Sequence, residues 1–176
     1  MKFSETFIDD LILIEGNPIQ DERGFFIRNY CRDEFKKNGF SENWVQTNLS
    51  FNNKKGTLRG MHFQIKPYEE DKLIRCVQGS VFDVAVDLRE NSKTFLKYFG
   101  IVLSFQNNLS LLIPKGFAHG FLTLEDSSSL IYFHSEFYNK SANSGFNFED
   151  PTVNINWPNK PLVVSQADLK LPYLNI

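Results

Sequence analysis

The chain has 176 residues and a formal net charge of −2. This length is enough for a substantial core, and we expect residues 1–176 to form a single domain. The near-neutral charge argues against a nucleic acid held mainly by its phosphates. The longest apolar runs are shorter than a membrane span, and the N-terminus carries no secretory pattern. Because Cys31 and Cys76 lie far apart in the sequence, we expect reduced thiols and a cytoplasmic protein.

Strand signals dominate from the N-terminus onward. The apolar run LILIEG at 11–16 and the aromatic run GFFIRNY at 24–30 both predict strands. A weak helical pattern follows at 32–39, where Gly39 suits the end of a helix. The stretch GTLRGMHFQ at 56–64 also has the composition of a strand, although it is unusually polar.

The clearest alternation lies in SVFDVAVDL, residues 80–88. It predicts a strand with Phe82, Val84, Val86 and Leu88 on one face and Val81, Asp83, Ala85 and Asp87 on the other. Turn signals separate further strand signals at 98–105, 110–114, 120–124 and 130–138. Many short strands and little helix predict an all-β sandwich or jelly-roll barrel with a few short helices. Such a barrel can hold a ligand among its inward side chains.

Regular alternation along 56–64 predicts which of its side chains face the interior. Arg59 would face away from it, and the inward residues would be Leu58, Gly60, His62 and Gln64. A bulge at Gly60 would change this assignment.

The three histidines, His62, His119 and His134, are candidates for chemistry. PKGFAHG at 114–120 resembles the second cupin motif, whereas HFQ at 62–64 stands where metal-binding cupins have His-x-His. With so few ligands we expect no bound metal, which leaves His62 free to act as an acid or base. For His134 we expect a hydrogen-bonded core residue.

Three further charged residues lie on predicted strands: Lys72, Asp83 and Asp87. Each either faces solvent or points into the barrel. A buried charge requires a partner, so the second arrangement would mark a built polar site. The pattern alone leaves both arrangements open.

Seven motifs in chain order carry a resemblance to one family. They are DERGFF (21–26), QTNLS (46–50), GTLRGMHFQ (56–64), KLIRCVQGSVFDVAVDLR (72–89), IPKGFAHGF (113–121), EDP before INWP (149–158) and SQADLKLPYL (165–174). Together they are similar to the dTDP-4-dehydrorhamnose 3,5-epimerase family of sugar-nucleotide epimerases. The resemblance covers nearly the whole chain and implies a cupin-type jelly-roll β-barrel.

The resemblance implies an isomerase that acts on a nucleotide-diphosphate 4-keto sugar without metal or redox cofactor. The C4 ketone acidifies the protons on C3 and C5, a base removes one to give an enolate, and an acid returns a proton to the opposite face. By resemblance His62 is the base, Asp168 orients it and Lys72 lies near the enolate oxygen. Tyr132 is the acid, and Tyr138 is a second active-site tyrosine.

The resemblance also implies a set of binding residues. Arg23 would reach a phosphate across a dimer interface and Phe26 would contact the base, so we expect a homodimer with strand exchange. The implied ligands of the pyrophosphate and sugar are Arg59, Gln46, Asn48 and His119.

Two positions depart from the family pattern. Arg28 stands where members that use dTDP have a glutamate that accepts from thymine N3–H. A guanidinium only donates hydrogen bonds, whereas guanine O6 and N7 accept them, so Arg28 favours GDP over dTDP. The substrate would then be a GDP-linked heptose or deoxyhexose used in surface-polysaccharide synthesis. The alternative is that Arg28 turns to solvent or pairs with an acid. Phe137 stands where many family members have a tyrosine. Two alternatives to a 3,5-epimerase therefore stay open: an enzyme that inverts C3 or C5 alone, and a cupin that binds the sugar nucleotide without catalysis.

Overall fold

A computed structural model describes residues 1–40 and 43–175. Within these residues the strands are β1 (Lys2–Glu5), β2 (Ile12–Glu15), β3 (Ile19–Asp21), β4 (Gly24–Phe26), β5 (Gln46–Asn52), β6 (Thr57–Gln64), β7 (Lys72–Gln78), β8 (Ser80–Asp87), β9 (Tyr98–Ser104), β10 (Leu109–Ile113), β11 (Phe117–Thr123), β12 (Ser128–His134), β13 (Asn143–Gly145) and β14 (Val163–Val164). The helices found there are α1 (Arg32–Lys37) and α2 (Gln166–Leu169). No helix in these ranges is long and apolar enough to cross a membrane.

Two large sheets face each other in the described part of the chain. The first has the strand order β1-β2-β10-β7-β12-β5, and the second has the order β13-β6-β11-β8-β9. β14 joins the second sheet in parallel to β6, and β3 and β4 form a separate hairpin. The remaining ladders between described strands are antiparallel. This architecture confirms the predicted all-β, cupin-type jelly roll with short helices.

The apolar core lies between the sheets, where the alternation of β8 is confirmed. Val81 and Ala85 pack in this core, whereas Val84 and Val86 pack on the outer face of the second sheet. The C-terminal segment covers that outer face through Phe146 and its neighbours. Burial on both faces explains why both sets of alternate positions in this strand carry apolar residues.

Helix α1 covers the outer face of the first sheet. Its Phe35 is fully buried against β2, β7 and β10. Asn38 is the C-cap, and Gly39 follows it with a φ of +80°, the left-handed conformation that glycine favours at this position. The prediction that Gly39 ends this helix is confirmed.

The strand predicted at 24–30 is shorter than expected. β4 ends at Phe26, which pairs with Ile19 at the start of β3. Pro18 precedes Ile19 and has no backbone N–H to donate, so the ladder cannot continue past this pair. The prediction was therefore right for Gly24–Phe26 and wrong for the rest of the run.

Candidate active site

A one-residue bulge in β6 sets the geometry of the site. On β11, His119 and Phe121 are two positions apart, but their partners His62 and Arg59 on β6 are three apart. On a regular strand, residues three apart face opposite sides of the sheet. The extra residue on β6 reverses this for Arg59 and His62, so both side chains point the same way. Arg59 and His62 therefore share the inward face. Regular alternation gave the wrong orientation for Arg59, and the alternative of a bulge at Gly60 is the one that the structure has.

Glycine is required at the bulge. Gly60 has a φ of +130°, and a Cβ there would lie 2.6 Å from the Cα of Gly120 on the neighbouring strand. Any larger side chain would therefore strain the backbone and collide with β11. The bulge also turns Leu58 outward, where it packs with Leu122 and Phe148 rather than facing the interior as predicted.

A cavity of about 240 Å³ opens between the sheets at this point. Five strands supply its walls: β5 through Asn48, Leu49 and Ser50, β6 through Arg59 and His62, β7 through Lys72, β11 through His119 and Phe121, and β12 through Tyr132 and His134. The core adjoins the cavity through Phe121 and Tyr132. Small-molecule sites are usually concave pockets in which apolar walls surround a few polar groups that orient the ligand.

His62 is paired with a carboxylate that comes from the far end of the chain. Ser165 caps helix α2 by accepting a hydrogen bond from the Asp168 backbone N–H, which places Asp168 in the first turn. His62 Nε2 lies 2.8 Å from Asp168 Oδ1, and Gly60 N–H donates to the other carboxylate oxygen at 3.4 Å. The Nδ1 atom of His62 has no partner among the described residues and is free to accept a proton.

The environment of Asp168 keeps its carboxylate charged. Burial alone would raise the pKa of Asp168, but the hydrogen bond and charge of His62 outweigh it, helped by Gly60 N–H. The net pKa of Asp168 therefore lies below its ordinary value. A charged carboxylate fixes the His62 tautomer and stabilises the imidazolium that forms when Nδ1 takes up a proton.

Lys72 points into the cavity and is bound by Glu70. The Lys72 Nζ lies 3.2 Å from Glu70 Oε1, and His134 Nδ1 lies 2.7 Å from Glu70 Oε2. Burial acts to raise the pKa of Glu70, but the His134 hydrogen bond and the Lys72 charge bring it below its ordinary value. Lys72 thus has the inward orientation, which is one of the two that the sequence left open, and His134 is the hydrogen-bonded buried residue that was expected.

Glu70 was missed by the sequence reasoning, although a signal for it existed. A lysine inside a barrel requires an acidic partner. Glu70 lies two residues before Lys72 and could have been proposed on that ground alone.

Tyr132 lines the cavity on the opposite sheet from His62. Its hydroxyl lies 3.2 Å from Ser50 Oγ, and its ring stacks on the ring of His134 with centroids 6.0 Å apart. Desolvation in the cavity wall raises the pKa of Tyr132 well above its ordinary value, against the smaller effect of the Ser50 hydrogen bond. Tyr132 therefore stays a protonated phenol over the whole physiological range.

Asp83 faces the interior and binds His119. Its Oδ2 lies 2.9 Å from His119 Nε2, while its buried Oδ1 has no hydrogen-bond partner among the described residues. Asp87 is also buried, so neither aspartate faces solvent, and the interior orientation is the one of the two open arrangements that the structure has. Asp87 lies outside the cavity, where hydrogen bonds from Arg89 and two hydroxyl groups overcome burial and lower its pKa to about 2.

Two polar side chains are held in place along the walls of the cavity. Arg59 Nε donates to Asn52 Oδ1 at 2.8 Å. Asn48 lies between Gln46, whose Nε2 donates to Asn48 Oδ1 at 3.2 Å, and His134. Gln46 also accepts from the Tyr138 backbone N–H at 3.1 Å. Gln46 and Tyr138, both expected site residues, therefore lie beside the cavity without lining it.

Three of the expected binding residues lie away from the cavity. Arg23 pairs with Asp21 in the β3–β4 hairpin with 84% of its side chain exposed, and Phe26 is 73% exposed. Arg28 forms an ion pair with Glu34, with Nη1 2.7 Å from Oε1. Arg28 is thus paired with an acid, which is the alternative that the sequence left open.

Each histidine has its own carboxylate, and the structure groups no three or more potential ligand side chains around a common metal position within residues 1–40 and 43–175. A histidine backed by a carboxylate, a lysine and a neutral phenol instead line one cavity. Such groups can take up and donate protons, which is the chemistry that a cupin-fold epimerase, an isomerase, requires.

Comparison with known proteins gives the same class. A sequence model of the dTDP-4-dehydrorhamnose 3,5-epimerase family matches residues 5–175, and the chain belongs to that family. The family's enzyme from Shigella flexneri is 42% identical over 96% of this chain and 93% of its own length. The chain is therefore a sugar-nucleotide epimerase.

Solved structures of the family superimpose closely on the fold. The epimerase from Bacillus anthracis str. Ames, with TDP and PPi bound, has a TM-score of 0.95 and 40% identity over 98% of this chain and 99% of its own. A 3,5-epimerase from Legionella pneumophila Philadelphia 1, in complex with dTDP-4-keto-L-rhamnose, has a TM-score of 0.93 and 36% identity, covering 98% and 92%.

Proposed function

We propose that the chain inverts C3 and C5 of a dTDP-linked 4-keto-6-deoxy sugar by proton abstraction and return. The observation that carries this proposal is the convergence of the His62–Asp168 pair, Lys72 and Tyr132 on one cavity. The relatives that bind TDP or a dTDP-4-keto sugar support the choice of substrate.

His62 is the base in this scheme. Its Nδ1 takes the proton from the carbon next to the ketone, and the electron pair of that C–H bond moves to form the enolate. The imidazolium that results is stabilised by Asp168 through the 2.8 Å contact at Nε2. A second cycle at the other carbon requires that His62 first return its proton to solvent and that the Tyr132 phenolate left by the first cycle be reprotonated.

Lys72 and Tyr132 complete the proton transfer. The Lys72 ammonium lies in the same cavity and stabilises the negative charge that develops on the ketone oxygen. Tyr132 then donates its phenol proton to the carbon from the opposite face. Because burial raises the pKa of Tyr132, the phenol is present in its protonated form when the enolate forms.

The diphosphate is assigned to the mouth of the cavity beside Arg59. A guanidinium matches phosphate oxygens in geometry and charge, and Asn52 holds Arg59 in place. Asn48, Gln46 and His119 are assigned to the sugar and pyrophosphate as the family resemblance implies. The ketone supplies the acidity that the reaction needs, so we propose that no cofactor takes part.

We propose a homodimer in which a second copy brings Arg23 and Phe26 to the site. β5 is an edge strand of the first sheet among the described residues, and its Phe51 is exposed, as is Ile19 in the hairpin. An exposed edge strand carries unpaired backbone groups that can pair with another chain. Sedimentation velocity should give about twice the 20.4 kDa of one chain, and a monomer at all concentrations would contradict the dimer.

The nucleotide is proposed to be dTDP, with GDP as the alternative. Arg28 supports GDP through its donor chemistry, but its guanidinium is held by Glu34 in the single chain. Isothermal titration with both nucleotides separates the two. Binding of dTDP at least about tenfold tighter than GDP, which is about 1.4 kcal/mol, supports the proposal, and the reverse order supports GDP.

We place the reaction in the cytoplasm, in deoxysugar synthesis for surface polysaccharide. Both Cys31 and Cys76 are free thiols, as is usual in a reducing compartment. Cell fractionation followed by immunoblotting tests the location, and recovery of the protein from outside the cytoplasm would contradict it.

Incubation with a dTDP-linked 4-keto-6-deoxy hexose in heavy water tests the reaction itself. The proton signals of C3 and C5 should both disappear from the NMR spectrum as inverted product forms. Exchange at one carbon would favour a single-centre epimerase. Two observations support that alternative: Phe137 is exposed, and a 3′-monoepimerase from Streptomyces bikiniensis has a similar structure. Tight nucleotide binding without exchange would indicate a non-catalytic binding cupin.

A further inference from the structure

Glu70 joins two residues of the cavity from behind. Its side chain is 9% exposed, and each carboxylate oxygen holds a different group: Oε1 accepts from Lys72 Nζ at 3.2 Å and Oε2 from His134 Nδ1 at 2.7 Å. The proton transfers described above use neither Glu70 nor His134. A buried acid that bridges two cavity residues is nevertheless placed to control both of them.

His134 extends this connection toward the substrate ligands. Since Nδ1 gives its hydrogen to Glu70, the other ring nitrogen, Nε2, carries a lone pair and accepts from Asn48 Nδ2 at 3.2 Å. This bond fixes the Asn48 amide so that its Oδ1 faces Gln46, which donates to it. One hydrogen-bonded chain therefore runs from Lys72 to Gln46.

We propose that Glu70 and His134 are positioning residues for the reaction. Glu70 fixes the ammonium of Lys72, and His134 fixes the amide of Asn48, so the catalytic cation and a substrate ligand are held as one unit. This inference rests on the proposed function, because it requires that Lys72 and Asn48 act on the bound sugar nucleotide.

The charge of Glu70 is what holds Lys72. The Lys72 side chain is only 11% exposed, so its ammonium is poorly solvated and needs a nearby carboxylate. Glu70→Gln keeps the shape of the side chain but removes its charge. The ammonium would then move toward solvent or lose its proton, and either change removes the positive charge from the enolate.

The histidine tautomers give a signature that needs no mutation. His62 and His119 meet their carboxylates through Nε2, whereas His134 meets Glu70 through Nδ1. At about pH 8, where ordinary imidazoles are neutral, ¹H–¹⁵N NMR should find His134 protonated on Nδ1 and the other two on Nε2. The chain contains three histidines, so His134→Gln assigns the Nδ1-protonated signal.

Steady-state kinetics of two variants separate the two halves of the proposal. Glu70→Gln should lower kcat about 100-fold, because a misplaced catalytic group costs that much, with a smaller change in KM. His134→Gln leaves the Glu70–Lys72 pair intact and should raise KM about tenfold, as expected for one weakened hydrogen bond to substrate, with little change in kcat. A role in folding alone would not divide the two constants in this way.

Glu69→Gln is the matched control. The Glu69 carboxylate makes no hydrogen bond or ion pair with the described residues, and its variant should stay within about twofold of wild type. Wild-type kcat in Glu70→Gln, or unchanged constants in His134→Gln, would overturn the proposal. If Glu70→Gln does not fold, the kinetics of His134→Gln and the histidine tautomers of the wild type test the proposal instead. A wild-type His134 protonated on Nε2 would overturn the proposal. A wild type without turnover would instead show that the proposed function is wrong.

Discussion

Replacing Asp168 with asparagine tests the partner of the proposed base. The change keeps the size of the side chain, and it keeps the backbone N–H of residue 168 from which Ser165 Oγ accepts the α2 capping bond. It removes the negative charge that lies 2.8 Å from His62 Nε2. The imidazolium formed in the reaction then faces an amide, which stabilises it less well.

The size of the effect follows from the geometry of this contact. A hydrogen bond to a charged partner contributes about 1.5–3 kcal/mol. The Asp168 side chain is 9% exposed, but that of His62 is 40% exposed, so water screens part of the interaction and we take about 2 kcal/mol. That energy corresponds to a roughly 30-fold lower kcat, since each 1.36 kcal/mol is a factor of ten in rate.

The assay is turnover of the dTDP-linked 4-keto sugar, with nucleotide affinity measured by titration on the same samples. Asp150→Asn is the control, because Asp150 is also buried and accepts from the Leu174 N–H at 2.6 Å, outside the cavity. It should lower the free energy of unfolding without changing kcat per folded molecule. A kcat within about twofold of wild type for Asp168→Asn would refute the role of the pair.

Three further outcomes are expected. Arg59→Ala should weaken nucleotide binding about 10- to 100-fold by calorimetry while the circular dichroism spectrum stays unchanged, since a charged hydrogen bond to phosphate is lost; unchanged affinity would place the diphosphate elsewhere. Tyr132→Phe should abolish inversion but keep some deuterium exchange, because His62 can return a proton to the face from which it took one; full inversion by this variant would rule out Tyr132 as the acid. The folded pKa of about 2 at Asp87 lies below the ordinary aspartate value of about 3.9, so its carboxylate stabilises the fold above about pH 4 and this contribution is lost as the pH falls toward 2. In urea unfolding, the Asp87 carboxylate should contribute about 2 kcal/mol to the free energy of unfolding at pH 7, and roughly half of this should be lost by pH 3. An Asp87→Asn protein as stable as wild type at pH 7 would contradict this prediction.

The pattern of β8 was predictable because its pleat is regular. Alternation from 80 to 88 placed Asp83 and Asp87 on one face, and the structure has both facing the interior. The same reasoning was wrong for β6, since the bulge at Gly60 adds a residue that no periodic pattern reveals. Arg59 and His62 therefore meet in the cavity although a regular strand would separate them.

Periodicity gives no signal for other features of the site. Asp168 lies 106 residues from its partner, and only the family resemblance connected the two. β5 reads as polar because one of its faces lines the cavity, so it has little of the apolar alternation that marks a strand. Glu70 precedes β7 in a connecting segment, where periodicity carries no information. The expected roles of Arg23 and Phe26 need a second chain and stay predictions.

Deuterium incorporation by a His62→Asn variant tests most directly whether this imidazole removes the proton. Wild type in heavy water should place deuterium at the carbons next to the ketone, while the variant should incorporate none above the uncatalysed background and still bind dTDP. Incorporation by the variant at the wild-type rate would contradict the assignment of His62 as the base and, with it, the proposed chemistry of the cavity.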